Sequence, residues 1–199
     1  SGVTAGYGVE WVLLSGAPPR KIVVAYTEPN SPATTGAAGL ARGAEILKAD
    51  GVDVIYGTDT DTLNAAFFPS SIGETHTFEV RDLGSTTTRT ISMTSDSITI
   101  DPVQNVKTIS TPTGTVGYLT FNNHIATAEK ELFDAFTQLS LAGVDDLVLD
   151  LRYNSGGYLA IASQLAYMIA GPSSDGETFE LTRFNDKHPT VNPITGTLI

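Results

Sequence analysis

The turn sequence RYNSGG, residues 152–157, holds the residue types best suited to chemistry in this chain. It joins an apolar strand pattern to a helical pattern, and its two glycines let the backbone turn sharply and approach a ligand closely. Backbone N–H groups at a helix start point outward with the positive end of the helix dipole. The turn could therefore donate an N–H to a developing oxyanion, although the spacing alone favours a simple tight connection.

Two other functions of this turn are disfavoured by the residues around it. The GxxxxGK[ST] and GxGxxG frames of nucleotide-binding loops are both missing. Ser155 lies in the turn but outside the G-x-S-x-G frame of a hydrolase nucleophile. The histidines that could activate it are His76, His124 and His188, and none lies in a recognisable motif. Asp150 and Arg152 are expected to pair and fix the turn rather than to act on a substrate.

A second candidate site precedes the first clear strand pattern. Gly6, Tyr7, Gly8 and Val9 lead into the apolar run at residues 10–14. Glycines in such a place allow successive backbone N–H groups to face one way and to form a nest for a carboxylate. An exposed strand edge beside that nest could add an extended peptide.

A short helix is predicted over residues 61–68, and it could flank this strand edge. Leu63 and Phe67 are four residues apart and therefore lie on one face of that helix. They would line a pocket for the last apolar side chain of a peptide, or they would be core residues only. The sequence leaves both interpretations open.

No metal site is predicted, and no cofactor is expected. Asp59 and Asp61 resemble the first two ligands of a calcium loop, but the required Gly and Glu do not follow. Asp61 is better explained as the N-cap of the short helix. The chain contains no cysteine, which removes disulfides, thiolate catalysis and cysteine-ligated metals.

The elements that would position these residues change in character along the chain. The first hundred residues predict five strands in a small, half-open β-barrel, at residues 8–14, 21–26, 52–56, 75–82 and 88–94. Besides the helix at 61–68, a helix is expected at residues 36–42. The proline-flanked segment 97–112 is interpreted as a linker.

The second half predicts a strand–helix–strand–helix unit. GTVGYLTF alternates like a strand, and apolar residues then recur at helical steps between residues 125 and 139, with Gly143 as the stop. Residues 147–151 form a nearly unbroken apolar run, typical of a buried parallel strand. A final helix is expected to bury one stripe and to end at Gly171 and Pro172. The stripe consists of Tyr158, Ile161, Ala162, Leu165 and Ile169.

Composition excludes several classes of partner. With 22 acidic and 11 basic residues the net charge is −11, which repels nucleic acid and anionic membranes. No apolar stretch approaches the length of a membrane span, and the first residues carry no export signal. Both ends of the sequence are interpreted as boundaries within a longer protein.

Three sequence segments carry a resemblance to a known family. SPATTGAAGLARGAEILKADGVDV, Ser31 to Val54, resembles the PDZ-domain signature of bacterial proteases, although Ala44 replaces the usual Asp. GTVGYLTFNNH and DDLVLDLRYNSGGYLAIASQLAYMIAG resemble the start of the peptidase domain in carboxyl-terminal-processing, or tail-specific, proteases. The LDLRYNSGG segment is the specific part of this match.

The resemblance implies a mixed α+β fold in two domains, a PDZ-like domain at residues 1–105 and a partial α/β peptidase domain at 106–199. The parent protein would be a serine endopeptidase with a Ser/Lys dyad, located in the periplasm or cell envelope, that binds protein or peptide substrates by their free C-termini. Gly156 and Gly157 would match the oxyanion-hole glycines, and Gly6 to Val9 the carboxylate-binding loop.

The catalytic dyad itself is not found in the sequence. The serine-rich nucleophile motif and the later activating lysine that the family carries have no counterpart here, so this chain alone is expected to be inactive. The alternative is a non-catalytic peptide-binding adaptor.

Overall fold

The computed structural model describes residues 3–181, 183–188 and 190–193, which form a mixed α/β structure with several sheets. The strands are β1 (Val3–Gly6), β2 (Val9–Ser15), β3 (Lys21–Thr27), β4 (Glu45–Ala49), β5 (Val52–Asp53), β6 (Thr75–Arg81), β7 (Arg89–Thr94), β8 (Asp96–Thr99), β9 (Val103–Thr111), β10 (Gly114–Phe121) and β11 (Asp146–Asp150). The helices are α1 (Thr60–Phe67), α2 (Ala128–Leu141) and α3 (Leu159–Ala170), followed by a short 3₁₀ turn at Pro172–Ser174.

The strands form three sheets. The largest has the order β2-β3-β4-β6-β7, with β5 paired to β4, and its pairings are antiparallel. The strands β1 and β8 form a separate antiparallel pair. The third sheet has the order β11-β10-β9, in which β10 pairs antiparallel with β9 and parallel with β11. Because α2 connects β10 to β11, the predicted strand–helix–strand unit is confirmed.

Two separate hydrophobic clusters lie under these sheets. The first is built from the large sheet and α1, and Phe78 and Ile46 are among its fully buried side chains. The second packs α2 and α3 against the three-stranded sheet, with Leu119, Phe121 and Leu132 fully buried. Burying one such side chain contributes about 1.5–3 kcal/mol. The chain passes from one cluster to the other at residues 99–103.

The predicted barrel is not closed by hydrogen bonds. In the described residues β2 and β7 end the large sheet, and the β1–β8 pair lies outside it. The strands predicted at 8–14, 21–26, 75–82 and 88–94 are confirmed as β2, β3, β6 and β7. The strand predicted at 52–56 is shorter, and β4 was not predicted at all.

The helix expected at residues 36–42 is wrong. This segment is a series of turns, and Gly36 and Gly39 have φ of +61° and +42°, which are left-handed values that break a helix. Its carbonyl groups accept hydrogen bonds from a residue far away in the sequence. The Arg89 guanidinium donates to the oxygens of Ala37, Ala38 and Gly39.

The linker expected at residues 97–112 is also wrong, since it overlaps β8 and contains β9. The strand β8 pairs with β1, which lies 90 to 96 residues earlier, and β9 pairs with β10. Neither proline interrupts the pairing, because Pro102 lies just before β9 and Pro112 just after it.

The last predicted strand and helix are present but less buried than expected. In β11, Val148 is 47% exposed, since this strand ends its sheet among the described residues. In α3, Ile161 and Leu165 are buried, whereas Tyr158 and Ile169 are exposed. The predicted stop at Gly171 is confirmed by its φ of +78°.

Candidate functional site

The side chain of Asn154 organises the turn between β11 and α3. Its Oδ1 accepts the Gly156 N–H at 2.8 Å and lies 2.9 Å from Nδ1 of His124. Its Nδ2 donates to the carbonyl of Phe121 at 2.9 Å. Because Oδ1 can only accept, Nδ1 is the protonated nitrogen of His124. Asn154 thus ties the turn to the end of β10.

Gly157 lies beside His124 in an isolated parallel bridge. The His124 N–H donates to the Gly156 carbonyl at 3.1 Å, and the Tyr158 N–H donates to the His124 carbonyl at 2.8 Å. In a parallel bridge of this type the central residue directs its own N–H away from the partner strand. Gly157 is exposed, and its N–H has no hydrogen-bond partner among the described residues, which leaves it free on the side of the turn away from His124.

Only glycine fits at position 157 without a shift of the backbone. Its φ is +139°, and a Cβ added there would lie 2.4 Å from the carbonyl oxygen of His124. Gly156 has φ of +96°, but a Cβ there meets nothing within 4 Å. The close approach to His124 therefore explains the second glycine, and backbone conformation explains the first.

Asp150 and Arg152 form the pair that was predicted. Nε of Arg152 lies 2.9 Å from Oδ1 of Asp150, and the Tyr118 hydroxyl donates to Oδ2 at 2.7 Å. Hydrogen bonding from Arg152 holds the pKa of Asp150 well below its usual range. The carboxylate is therefore fully used within the structure and is not a candidate acid or base.

Ser155 has no activating partner in the described part of the chain. It is exposed, and its hydroxyl has no hydrogen bond to a histidine or lysine there. His76 lies far away in β6, with Nδ1 2.5 Å from Oδ2 of Asp50. His188 is exposed near the end of the described residues. His124 lies closer, but its Nδ1 is bonded to Asn154 rather than to Ser155.

A groove lies between the free edge of β2, the end of α1 and the β1–β8 pair. Its volume is about 350 Å³, and its lining includes Gly6, Tyr7, Gly8, Val9 and Phe67. The structure therefore brings five of the six predicted peptide-binding residues to one place. Rings of Trp11 and Phe67 meet edge to face, with centroids 5.2 Å apart, and so hold α1 against β2.

Three of the predicted binding residues, Tyr7, Leu63 and Phe67, also belong to the first core cluster. Leu63 is 7% exposed, belongs to the first core cluster and is not among the residues that line the groove. The Tyr7 ring is also buried, and its hydroxyl donates to the carbonyl of Ala66 at 3.0 Å. Tyr7 can therefore serve a ligand only through its backbone.

The backbone of Val9 faces the free edge of β2. Glu28 N–H donates to the Gly8 carbonyl at 2.7 Å, and the following pair is Val9 with Thr27. Bonded and non-bonded pairs alternate in an antiparallel ladder, so Val9 directs its N–H and C=O outward. A peptide strand added at this edge would find both groups unpaired.

Two carboxyl groups also line this groove, the buried Glu28 and the exposed Glu10. Partial desolvation raises the pKa of Glu10 above its ordinary value. Burial likewise raises the pKa of Glu28 to about 7, although Oε2 accepts from Asp101 N–H and Gln104 Nε2 at 3.0 Å each. Near neutral pH, Glu28 is therefore divided between its neutral and charged forms.

The N-cap of α1 is Asp59 rather than the predicted Asp61. Asp59 Oδ1 accepts the Thr62 N–H at 3.1 Å, and Oδ2 accepts the Thr62 hydroxyl at 2.8 Å. Within the described residues, no three His, Asp or Glu side chains are grouped so that they could hold a metal ion. None of the described helices has the length and apolar character needed to span a membrane.

Sequence reasoning missed the role of Asn154 and the buried Glu28. An Asn two residues before a Gly is a known turn signal, because the side chain can accept the backbone N–H two residues on, and it could have found Asn154. Glu28 gave no local signal, since its partners Asp101 and Gln104 lie more than seventy residues later.

Comparison with known proteins identifies relatives of this chain. Residues 115–190 match peptidase family S41. A carboxyl-terminal-processing protease of Picosynechococcus sp. is 34% identical over 139 residues, which are 69% of this chain and 32% of that protein. A chloroplastic C-terminal processing peptidase of Tetradesmus obliquus is 29% identical over 181 residues, 85% of this chain and 38% of that protein.

A solved structure has a similar fold. The photosystem II D1 C-terminal processing protease superimposes with a TM-score of 0.56 at 27% identity, covering 83% of this chain and 44% of that one. The chain spans about a third of the length of the curated relatives it matches. Residues 115–190 therefore match peptidase family S41, and the chain is similar to the carboxyl-terminal-processing proteases.

Proposed function

We propose that this chain is the substrate-recognition and oxyanion-forming part of a serine endopeptidase that processes the C-terminal tails of proteins. The observation that carries the proposal is the exposed N–H of Gly157, held outward by the bridge to His124. A fixed N–H donor aimed at a reacting carbonyl oxygen is the main electrostatic element of acyl transfer. The Gly156 N–H is already bonded to Asn154, so Gly157 is the better donor of the two.

Substrate recognition is assigned to the groove beside β2. It is assigned to a PDZ-like domain at residues 1–105, and the peptidase portion to residues 106–199. The two hydrophobic clusters support a division into two domains, although Val103 and the start of β9 already belong with the second cluster. A substrate tail would add as a strand along β2, where the Val9 backbone is unpaired. Its terminal carboxylate would lie on the N–H groups of Gly6 to Gly8, and its last side chain would lie against Phe67.

The catalytic serine and its lysine are assigned to the full-length protein outside residues 1–199, so this chain alone has no proteolytic activity. We also propose a periplasmic or cell-envelope location, which the similarity to cyanobacterial and chloroplastic processing proteases supports. In this assignment Ser155 is a turn residue and not the nucleophile, since the described residues give it no base.

Active-site labelling tests this assignment. A fluorophosphonate probe, which reacts with activated serines, should leave the 199-residue chain unlabelled and should label the full-length protein at a serine beyond residue 199. The Ser155→Ala variant of the full-length protein should keep its labelling and its turnover of a peptide substrate. Labelling of Ser155, or loss of turnover in that variant with normal folding, would overturn the proposal.

Peptide titration tests the recognition step separately. Two peptides blocked at the N-terminus are compared, one with a free C-terminal carboxylate and one with a C-terminal amide. The free carboxylate should bind the 199-residue chain at least about tenfold more tightly, because the amide cannot accept charge-assisted hydrogen bonds from the N–H groups. Equal affinities would refute the carboxylate nest. Lowering the pH from 8 to 6 should strengthen binding, since Glu28 becomes neutral.

The alternative is a peptide-binding adaptor without catalysis. The groove beside β2 favours it, because this site is formed by the described residues alone, whereas the oxyanion donor needs a nucleophile from elsewhere. Normal peptide binding by a full-length protein that takes up no fluorophosphonate would establish the adaptor.

A further inference from the structure

A second cleft lies between the two hydrophobic clusters, on the other side of residues 122 and 123 from the groove. Its volume is about 370 Å³, within the range of small-ligand sites. One wall comes from the end of β3 and from Arg42, and the other comes from β9, β10 and the Arg152–Tyr153 turn. Hereafter we call it the cationic cleft.

The charge of this cleft is opposite to that of the whole chain. Its lining contains Arg42, Lys107 and Arg152 and no Asp or Glu, although the chain has a net charge of −11. The groove beside β2 has the reverse lining, with Glu10 and Glu28 and no cation. A local excess of one sign in a concave, partly desolvated site is suited to a ligand of the other sign.

Two of the three cations are available to a ligand. Arg152 is neutralised by its hydrogen bonds to Asp150. Within the described chain Arg42 and Lys107 form no ion pair with a carboxylate; both are exposed and lie over aromatic rings instead. The Arg42 guanidinium is 5.7 Å from the centre of the Tyr153 ring, and Nζ of Lys107 is 4.9 Å from that of Tyr118. These cation–π contacts orient the charges and leave their N–H groups unpaired.

The cleft also contains a buried amide with unused hydrogen-bonding capacity. Asn122 lines the cleft at 5% exposure, and its Oδ1 is buried and accepts no hydrogen bond from the described residues. Buried acceptors in proteins are normally satisfied. A polypeptide backbone offers both N–H and C=O groups and so can satisfy this amide, whereas a simple anion offers acceptors only.

We propose that the cationic cleft binds an acidic segment of a polypeptide, with a side-chain carboxylate held by Arg42 and Lys107 and a backbone N–H donated to Asn122. The tyrosine rings of the cleft would contact the aliphatic part of the same residue. The proposal rests on the proposed function in one respect, namely that the ligand is a polypeptide. It gives the processed proteins a second recognition feature, an acidic residue upstream of the tail.

Binding to the 199-residue chain tests the proposal without any turnover. The probe is a fluorescent nonapeptide, blocked at both ends, with two central glutamates, and its twin has glutamines at those positions. Blocking the C-terminus removes the group that the groove beside β2 is proposed to recognise. The acidic peptide should bind at least about tenfold more tightly than its twin at low salt, even though the chain as a whole repels it.

Variants of the two free cations provide the structural control. Arg42→Gln and Lys107→Gln should each weaken binding of the acidic peptide by about three- to tenfold, and the double variant should bind both peptides equally. Lys130→Gln makes the same charge change on the exposed face of α2, outside the cleft, and should leave the ratio unchanged. Circular dichroism checks that each variant is folded.

Three results would overturn the proposal. The first is equal affinity for the acidic peptide and its glutamine twin. The second is an equal effect of all three substitutions on binding. The third is binding of inorganic phosphate as tightly as the acidic peptide, which would indicate a simple anion site. Failure here leaves the comparison of free and amidated C-termini untouched, because that test concerns the other groove. Conversely, equal binding of free and amidated tails would not alter the acidic-peptide ratio.

Discussion

At the scale of single residues, the turn after β11 depends on contacts with a segment thirty residues earlier. Asn154 bonds both His124 and the Phe121 carbonyl, and Gly157 lies directly against the His124 backbone. The two glycines of the turn are therefore not equivalent. Gly157 is required because a Cβ would collide with the His124 backbone, and Gly156 is required only by its positive φ.

Alanine substitution should separate these two requirements. Gly157→Ala places a Cβ 2.4 Å from the His124 carbonyl oxygen, so the backbone must move, and we expect it to lower the free energy of unfolding by about 2–4 kcal/mol. Gly156→Ala meets no atom within 4 Å and should lower it by about 1–2 kcal/mol. Urea unfolding followed by circular dichroism measures both. Equal losses would mean that the His124 contact does not determine the turn.

The sequence alone reveals part of this site. The glycine pair, the Asp150–Arg152 pair and the glycines before β2 were recognisable from residue type and spacing. The contact between His124 and Gly157 was not, because it depends on how β10 and β11 align. Leu63 and Phe67 share a helix face and both belong to the core, and only the packing shows that Phe67 also lines the groove whereas Leu63 does not.

At the scale of elements, local patterns predicted those segments whose partners are near in sequence. The strands β2, β3, β6 and β7 and the β10–α2–β11 unit were all recognisable. The strand β8 was mistaken for a linker because its partner β1 lies at the start of the chain. The Ala, Leu and Arg residues at positions 36–42 favour a helix, but the two glycines adopt left-handed φ values and Arg89 binds the carbonyl groups in a turn conformation. Such distant contacts override local propensity.

The connection between β8 and β9 should make stability depend on pH. Glu28 and Glu131 bond the N–H groups of Asp101 and Val103, and burial raises the pKa of both carboxyls. A pKa that is raised in the folded state means that the folded protein binds the proton more tightly than the unfolded chain does. This stabilisation is complete below pH 4.5, the ordinary pKa of Glu, and is lost as the pH rises through about 7 for Glu28.

We therefore expect the free energy of unfolding to fall between pH 5 and pH 8, and Glu28→Gln to reduce this fall by about 1–3 kcal/mol. Chemical denaturation at several pH values measures it. Glu177→Gln, at an exposed site, is the matched control. The lowered pKa of Asp150 acts in the opposite direction, but only in more acidic solution. An unchanged pH profile for Glu28→Gln would contradict this assignment.

At the scale of the whole molecule, aromatic, cation–π and hydrogen-bond contacts join the parts of the chain that hold the two hydrophobic clusters. The Tyr153 and Tyr26 rings lie 5.5 Å apart between centroids, Arg42 lies over Tyr153, and Glu28 bonds Gln104. Junctions of this kind resemble transient interfaces, so their coupling is sensitive to single substitutions.

Tyr153→Ala should weaken this coupling, because it removes the aromatic contacts of both Tyr26 and Arg42. In calorimetry the wild-type chain should unfold in one cooperative transition, and the variant should show two overlapping transitions or a clearly broadened one. Tyr167→Ala, at a half-exposed tyrosine of α3 outside the junction, should keep the single transition. A sharp single transition in Tyr153→Ala would show that the tyrosine does not link the clusters.

Consecutive residues at the end of β10 form a shared wall. Asn122 lines the cationic cleft, and Asn123 lines the groove beside β2. A polypeptide long enough to enter both sites would be recognised at two points, by its terminal carboxylate in the groove beside β2 and by an acidic side chain in the cationic cleft. Two weak contacts joined by a short tether act at high effective concentration. Selectivity would then arise from coincidence, so that proteins with only one of the two features are released quickly.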